Sequence, residues 1–515
     1  MSPLTIIFCL PLLAALLILA IPRNYRFLIR CVALLASLLS LATALYVFFQ
    51  YDASPAVNGF HFDQKVSWIQ SLGIGFHVGV DGINLGLILM GAAVAFAAVC
   101  VSNRIQSRVK EFYVLLLIMS GGILAAFSSL DLFSFYFFHE LALVPTFIMI
   151  GVWGRGEKRN FATFQITLYL SVGALMVLIG LTALYLQLPA EARTFDIVAL
   201  SEYFKAHRMA QGAQHLIFPV LLFGFGILVS LWPFHTWAPL GYGSAPTATA
   251  MLHAGVLKKF GLYGLIRIAV PFMPDEAKLW MNILAVLCLG NIVYCGLVAM
   301  RQRDLNLLIG NSSVAHMGIA FLGIASLSVI GITGTVLIMV AHGFLAALTF
   351  ALSGYVYEQT KTLDIDKMGG LLKKLPFIGT VMIMAMLAGC GLPGFANFPG
   401  EAMVFFGCWK GFTIVTAIAI WGALVIGGVY MLRGIRNIWH GDKEQPAVML
   451  DATSYWRKLP FVLLLAGLIV FGFAPRLLTD RIKVSVAPIV EMTTQDSVVS
   501  PIKVAQSGTP ISLTR

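Results

Sequence analysis

Several ionisable side chains of this chain lie inside long apolar stretches, where they could exchange protons. A charged group inside a membrane is costly, so each such residue is a candidate for function. Histidine titrates near physiological pH, and buried lysine and glutamate can be brought into the same range. Because such groups pass protons through hydrogen bonds and water, the pattern predicts a proton path. The candidate residues are Glu140, Lys259, His316, His342 and Glu401, with Lys258 and His235 as additional candidates.

Glu140 is the acid of the first half of the chain, about halfway along an apolar stretch at 131–154. Burial there would let its carboxyl group hold and release a proton near neutral pH. The alternative is a carboxylate that is simply paired with a helix donor. The adjacent His139 points about 100° away on a helix, so we expect it to be a packing or interface residue.

Two adjacent lysines and two histidines occupy the apolar stretches that follow. Lys258 and Lys259 cannot share one helix face, so we expect only one of them to line an interior path. Arg267, near the end of the same stretch, is expected to snorkel to the membrane interface. His316 and His342 lie in consecutive stretches, which favours a relay over two isolated core histidines.

Two predicted helix breaks mark places where such a path could be hydrated. Proline removes a backbone hydrogen bond, and the segments 231–235 and 391–401 each combine proline with ionisable residues. The second segment ends at Glu401, beside which free backbone groups could hold water. Interrupted helices at matching places in two halves point to a transport site near the bilayer midplane.

The composition places the whole chain in a membrane. Hydrophobic residues make up 59% and charged residues 11% of the 515 residues, which excludes a soluble globular class. A membrane helix needs roughly 20 apolar residues, so we expect an all-α polytopic protein with about fourteen transmembrane helices. The predicted spans are 3–22, 31–50, 80–102, 112–129, 131–154, 161–187, 214–236, 247–270, 279–300, 306–326, 329–356, 376–405, 411–432 and 456–475.

The net charge of +11 follows membrane topology and does not indicate a nucleic-acid partner. Lysine and arginine concentrate in the loops after odd-numbered spans, so we expect these loops to be cytoplasmic and both termini to face outward. The seven cysteines form no C-x-x-C motif and no cluster with histidine. We therefore expect no haem, iron–sulfur or zinc site, and no electron transfer by this chain alone.

The spans divide the chain into four segments. In the two central segments the broken helix is the fourth of five spans, a layout typical of internal repeats. The segments are 1–111 with spans 1–3, 112–270 with spans 4–8, 279–437 with spans 9–13, and 456–515 with the last span and a polar tail.

Three polar stretches are expected outside the spans. The loop 51–79 is predicted to be an outward connection, and 188–211 an amphipathic stretch on the surface. The tail after Arg476 is polar and rich in serine and threonine, so we expect it to pack loosely.

Six short motifs resemble the antiporter-like subunits of respiratory complex I (NADH:quinone oxidoreductase), and among these the subunit M branch. The resemblance covers nearly the whole chain. Glu401 favours the subunit M branch, because the L- and N-type subunits and the Mrp cation/proton antiporters typically carry lysine there. The motifs lie at 76–85, 138–145, 233–237, 244–247, 313–318 and 391–394.

The resemblance implies fourteen helices with two inverted five-helix repeats in a bacterial cytoplasmic (inner) membrane. It implies proton translocation driven by quinone reduction elsewhere in the complex, with L- and N-type subunits and the lipid bilayer as partners. No cofactor is implied in this chain, since FMN and iron–sulfur clusters belong to other subunits. By position, Glu140 resembles the paired glutamate of the input half and Lys259 the central lysine. His316 and His342 resemble the connecting histidines, and Glu401 the exit-side acid.

The chain departs from the family pattern at four places. Leu228 stands where the family has a lysine that pairs with the glutamate of span 5. The segment 238–242 lacks an acid and a histidine of the pattern, and Asn306 and Leu307 stand at positions expected to be basic. Lys258 looks like an addition.

Several alternatives therefore stay open. Glu140 could still work, with Lys258 or a bound water in the role of the missing lysine. In a second version the input half is defective, and the chain is a divergent, non-pumping structural subunit of a complex that pumps fewer protons. A third alternative is a subunit of an Mrp-type cation/proton antiporter or a membrane-bound hydrogenase. In the leading version the chain is a non-redox subunit of an enzyme and not a catalyst alone.

Overall fold

The computed structural model describes residues 2–443 and 449–494 of the chain. Within these residues, twelve continuous helices are long and apolar enough to cross a membrane. Two further apolar segments, 247–272 and 376–409, are helical but interrupted. Together they agree with the fourteen predicted spans, and the chain is an all-α polytopic membrane protein.

The chain starts with three long helices, and a small antiparallel sheet lies between the second and the third. The sequence predicted only a connection at 51–79, so the sheet is a feature that the apolar pattern missed. Gly73 turns the second strand into the third with φ 66°, and a side chain there would collide with the backbone of Arg193. The elements are α1 Pro3–Ala20, α2 Arg26–Gln50, β1 Ala56–Val57, β2 Phe60–Ile69, β3 Ile74–Val80 and α3 Gly82–Val101.

The first block, residues 109–272, contains nine helical pieces, of which four are long and uninterrupted. The seventh helix of the chain buries Ile197, Leu200 and Phe204 on one face, which confirms the amphipathic stretch predicted within 188–211. The helices are α4 Val109–Ser128, α5 Leu132–Trp153, α6 Arg159–Leu186, α7 Ile197–Ala206, α8 Gln211–Val229, α9 Trp237–Ser244, α10 Thr247–Gly255, α11 Phe260–Gly264 and α12 Val270–Phe272.

The first predicted break lies between α8 and α9. Ser230 ends α8 in the left-handed conformation, with φ 72°. The side chain of Asn291 then bridges the break: its amide donates to the carbonyls of Ser230 (2.9 Å) and Val314 (3.2 Å). Its oxygen accepts from the backbone N–H of Trp232 at 2.7 Å. Backbone groups freed by the break are thus paired inside the protein, as a membrane interior requires.

The span predicted as one regular helix at 247–270 is interrupted as well, which corrects that prediction. After α10 comes a 3₁₀ turn at Leu257–Lys259, and a π turn at Leu265–Ala269 separates α11 from α12. The carbonyl of Ala254, in the last turn of α10, accepts a hydrogen bond from the Lys259 ammonium at 2.6 Å. Carbonyls at a helix end need a partner from outside the helix, and here a lysine side chain supplies it.

The second block, residues 274–439, contains the second predicted break and the most deeply buried helix. The break separates Pro376–Gly389 from Asn397–Trp409, where Gly391 and Gly394 take positive φ values of 71° and 99°. In the helix Val329–Thr360 the most apolar stretch is completely buried, so this helix lies at the centre of the block. The helices are α13 Pro274–Leu289, α14 Cys295–Arg301, α15 Leu305–Ala325, α16 Val329–Thr360, α17 Pro376–Gly389, α18 Asn397–Trp409, α19 Thr413–Trp421 and α20 Gly427–Trp439.

The chain continues with α21 Tyr455–Phe473 and α22 Arg476–Thr494. The prediction of a loosely packed tail is wrong for α22, and the rest of the predicted tail lies outside the described residues. Leu478, Ile482 and Val486 recur at a spacing of four and are fully buried. A side chain at Gly82 would collide with the backbone of α22, so the helix packs directly on the start of α3.

Arg267 does not snorkel to the interface, as the sequence suggested. Its side chain is buried, and its guanidinium forms two hydrogen bonds with the Asp81 carboxylate, at 2.8 and 2.6 Å. Asp81 also caps α3 by accepting from the backbone N–H of Ile83 at 3.0 Å. The paired geometry satisfies both charges, which explains why the arginine can stay inside.

Candidate proton path

Lys259 and His342 form the first contact of the predicted path. Lys259 lies in the 3₁₀ turn before α11 and His342 on α16, and both side chains are buried. The Lys259 ammonium nitrogen lies 2.8 Å from Nδ1 of His342. A charged lysine can only donate, so this contact fits a histidine whose Nδ1 carries no proton. The pair can therefore exchange one proton directly.

His316 continues the path from α16 to α15. The rings of His342 and His316 have their centroids 5.5 Å apart. Nδ1 of His316 lies 2.8 Å from the carbonyl of Ser312, and Nε2 lies 3.2 Å from the carbonyl of Gly389. Both ring nitrogens thus face acceptors, which is an arrangement that a doubly protonated imidazole can satisfy.

Glu401, on α18 after the second break, ends this row. Its carboxylate oxygen Oε1 lies 3.8 Å from Nε2 of His316, and the side chain is buried. A cavity beside these two side chains, with Tyr430 and Gly389 in its wall, leaves ≈ 10 Å³ for the centre of a water molecule. That is room for about one water, which could join the histidine to the acid.

Four of the five main candidates are therefore brought together in a row that runs Lys259, His342, His316, Glu401. They come from four separate elements: the interrupted span 8, α16, α15 and α18. The Lys259–His342 contact is short enough for direct proton transfer, and the 3.8 Å gap between His316 and Glu401 borders the small cavity. A water would have to bridge the two histidine rings. The row lies inside the protein, where it is shielded from both membrane faces.

Glu140, the fifth candidate, lies apart from this row. Its side chain on α5 is 30% exposed and therefore less buried than expected, whereas that of His139 is 2% exposed, as expected of a packing residue. Nδ1 of His139 lies 3.2 Å from the Glu140 carboxylate, and its ring stacks on Phe260 with centroids 3.8 Å apart. Since Phe260 follows Lys259 in the chain, His139 is the side chain that lies between the acid and the lysine turn.

Lys258 is buried like its neighbour, although the two side chains contact different groups. Its ammonium donates to the hydroxyl of Ser313 at 3.3 Å and lies 5.5 Å from the ring centroid of Tyr242. These contacts place it beside α9 and α15, and they do not include Glu140. The contacts thus give no support to Lys258 as the partner of that acid.

His235, the other additional candidate, lies in the first break and is buried. Its ring meets that of Tyr294 edge to face at 5.7 Å, and its Nδ1 has no hydrogen-bond partner within residues 2–443 and 449–494. The sequence reading missed a second such histidine. His253 on α10 is buried, packs 5.5 Å from the ring of Tyr242 and also has an unpartnered Nδ1. A histidine five residues before a buried lysine pair was the only sequence signal for it.

The fold and this row together define a class, namely polytopic helical membrane proteins with buried ionisable side chains on interrupted helices. Residues 129–427 match the family described as NADH:quinone oxidoreductase/Mrp antiporter, transmembrane. The chain belongs to this family.

Similar proteins cover nearly the full length. NAD(P)H-quinone oxidoreductase chain 4 1 of Synechococcus elongatus is 34% identical over 529 residues, which cover 99% of this chain and 97% of that protein. NADH-quinone oxidoreductase subunit M of Rickettsia felis is 32% identical over 461 residues, covering 88% and 91%. A chain of respiratory complex I from Thermus thermophilus with bound NADH superposes with a TM-score of 0.86 at 25% identity, covering 96% and 100%.

Proposed function

We propose that the chain is a membrane-arm subunit of an NADH:quinone oxidoreductase and translocates protons across the membrane. The observation that carries this proposal is the buried row of Lys259, His342, His316 and Glu401. The names of its relatives, which include subunit M and chain 4 of quinone oxidoreductases, support the same function. The chain acts as a non-redox part of the enzyme.

In this proposal Lys259 is the central proton carrier, because its ammonium contacts His342 directly. The two histidines pass the proton between the interrupted span 8 and α18. Glu401 accepts it at the second break and releases it through water held near the broken helix. Quinone reduction in other subunits would change the charge near the 3₁₀ turn that carries Lys259. This change would set the direction in which the proton moves.

Glu140 has a different place in this scheme. It is half-exposed on the surface of α5 and linked to the interior through His139. We propose that it exchanges protons at a contact with a neighbouring subunit, with His139 passing charge changes toward the lysine turn. His139 thereby offers a partner for the acid where Leu228 supplies no charge.

The remaining parts of the proposal concern surroundings and orientation. Other membrane-arm subunits of L and N type, the quinone of the complex and the lipid bilayer are the proposed partners, and FMN and iron–sulfur clusters belong to other subunits. The proposed location is a bacterial inner membrane, with the basic loops in the cytoplasm. Both ends of the described chain support one orientation. Ser2 bonds to Gln64 and Arg481 pairs with Asp52, so both ends lie on the side that carries the sheet.

The test is NADH-driven acidification of vesicles that hold the purified complex. Glu401→Gln keeps the size of the side chain but removes its proton exchange, so we expect acidification per quinone reduced to fall. Glu191→Gln, at an exposed glutamate in the connection before α7, is the matched control and should pump normally. Normal pumping by an assembled Glu401→Gln complex would contradict the proposal. Glu140→Gln in the same assay tests the input half.

The antiporter alternative predicts that the chain copurifies with a different set of proteins. If the chain copurifies only with small multisubunit antiporter proteins and no NADH-oxidising activity, the quinone oxidoreductase assignment falls. The near-complete coverage of quinone oxidoreductase relatives favours the leading proposal.

A further inference from the structure

Lys258 is a buried lysine that the row from Lys259 to Glu401 does not use. Its side chain is 1% exposed, and its ammonium has one hydrogen-bond partner, the hydroxyl of Ser313 at 3.3 Å. Across residues 2–443 and 449–494, no carboxylate lies within 4 Å of it. An ammonium carries three donors, and a buried charge without partners is costly. Lys258 therefore needs water, or must be able to lose its proton.

Three further polar atoms, two on rings around this lysine and one nearer the start of α15, are buried without a hydrogen-bond partner among the described residues. They are the hydroxyl of Tyr242, Nδ1 of His253 and the amide nitrogen Nδ2 of Asn306, and none of these side chains is more than 2% exposed. Buried polar atoms are almost always paired when ordered water is counted. Three such atoms on three different helices indicate positions that hold water.

These atoms lie in the region where α9, α10, α15 and α16 pack together, and side-chain contacts connect them. The ring of Tyr242 lies 5.5 Å from that of His253 and carries the Lys258 ammonium over its face. Tyr242 also packs on Phe350 at 5.8 Å, one turn before Ser353 on α16. Ser353 in turn donates to Oδ1 of Asn306 at 2.6 Å.

The region leads outward to the face of the molecule that carries the basic loops. Asn306 is the second residue of α15, directly after Arg303 and Asp304 at that face. Ser313 lies seven residues further along the same helix, or about 10 Å deeper. The helices α15 and α9 pack closely here, since a Cβ atom on Gly310 would lie 2.8 Å from Cα of Pro239. The unpartnered atoms thus lie between the basic face and Lys258.

We infer that Lys258 is a second proton-loading residue, which exchanges protons with the basic face through water held by Asn306, Tyr242 and His253. The inference deepens the proposed function and rests on it. The ammonium gives its proton to the Ser313 hydroxyl oxygen while that hydroxyl gives its own proton, through a water, to the neutral imidazole of His316, so that Lys258 becomes neutral and His316 becomes positively charged. His316 is three residues beyond Ser313 on the same helix, and the route joins the main row there.

The test compares two substitutions of Lys258 in the purified complex reconstituted in vesicles. Lys258→Arg keeps a positive charge but cannot lose its proton, whereas Lys258→Met removes both properties. We expect both variants to lower acidification per quinone reduced to the level of Glu401→Gln. Thr349→Val is the matched control, because that buried hydroxyl bonds only to carbonyls of its own helix.

The outcomes separate this inference from the proposed function. Normal pumping by Lys258→Arg would overturn it and leave a fixed positive charge as the role of the residue. Normal pumping by Lys258→Met would overturn it too. If Glu401→Gln still fails in either case, the proposed function stands. If the complex with Lys258→Arg does not assemble, Lys258→His tests the same point. That variant should retain pumping because imidazole exchanges protons, and its failure while Thr349→Val pumps would overturn the inference.

Discussion

At the scale of single residues, the buried acid at Glu401 depends on a neighbour without a side chain. Gly391 lies in the second break with φ 71°, a conformation that glycine adopts readily. A Cβ atom at this position would lie 2.7 Å from Oε2 of Glu401. The glycine thus provides both the turn of the chain and the space that the carboxylate occupies.

This arrangement predicts a specific effect of Gly391→Ala. Alanine in the left-handed region costs about 1–2 kcal/mol, and the new methyl group must also displace the carboxylate. Gly394→Ala is the matched control, since it shares a positive φ of 99° but its Cβ would meet the Phe473 ring at an ordinary 3.5 Å. We expect both to lower the unfolding temperature of the complex, and only Gly391→Ala to reduce acidification per quinone reduced. Equal pumping by the two variants would refute the role given to this glycine.

The sequence was a better guide to which residues are buried titratable candidates than to the way each side chain faces on its helix. Lys259, His316, His342 and Glu401 were recognised because a titratable group in an apolar span has few other uses. Glu140 was expected to be buried, but its side chain is 30% exposed, whereas His139 is buried and packs on Phe260, as expected of a packing residue. Successive residues of a helix are rotated by about 100° around its axis. Because α5 has apolar residues on every side, its sequence does not indicate which side faces the protein interior.

At the scale of elements, the helix breaks show what the sequence could and could not predict. The breaks at 231–235 and 391–401 were predictable because proline and glycine mark them. The interruption before α11 is marked less clearly, since Val256–Lys259 contains neither residue and Gly255, which ends α10, does not take a positive φ. Its lysine bonds to the Ala254 carbonyl five residues earlier and also contacts His342 on α16, and this second, long-range contact cannot be read from local sequence.

The interrupted span 8 is joined to α3 by the buried pair of Arg267 and Asp81, which predicts a large effect on stability. Arg267→Met would leave the Asp81 carboxylate buried without its partner, and such a change costs about 3–5 kcal/mol. Arg303→Met is the matched control, because the Arg303–Asp366 pair is mostly exposed and should contribute no more than about 1 kcal/mol. Denaturant unfolding of the purified chain in detergent measures both. A loss for Arg267→Met no larger than for Arg303→Met would refute this account.

At the scale of the whole molecule, the sheet is tied to distant parts of the chain by a cluster of charges outside the membrane spans. His77 on β3 lies 2.7 Å from Asp63 on β2 and 2.7 Å from Asp196, which caps α7. Lys65 pairs with the same Asp196 carboxylate at 2.7 Å. Because Asp196 lies within the long 188–211 connection, the cluster links that connection to the sheet.

The cluster also predicts how this linkage depends on pH. Burial lowers the pKa of His77, but hydrogen bonds to Asp196 and Asp63 outweigh it and raise that pKa above 6.5. Burial acts to raise the pKa of Asp196, but hydrogen bonds from His77 and Lys65 hold it well below 3.8. The histidine contribution to stability is therefore complete below pH 6.5 and lost as the pH rises through its raised pKa. The aspartate contribution is present above pH 3.8 and lost as the pH falls.

The linkage should accordingly be tightest between about pH 4 and 6.5. Hydrogen exchange can measure the strength of this linkage. The backbone N–H of Phe195 donates to the carbonyl of Gly73 at 3.1 Å, so its protection from exchange reports whether the connection stays bound to the sheet. After correction for the intrinsic exchange rate, we expect protection to fall from pH 6 to pH 9 in the unmodified chain. His77→Gln keeps hydrogen-bonding capacity but cannot be charged, so its protection should be lower at pH 6 and nearly flat up to pH 9. A parallel fall in both proteins would assign the pH dependence to other groups, since only His77 differs between them.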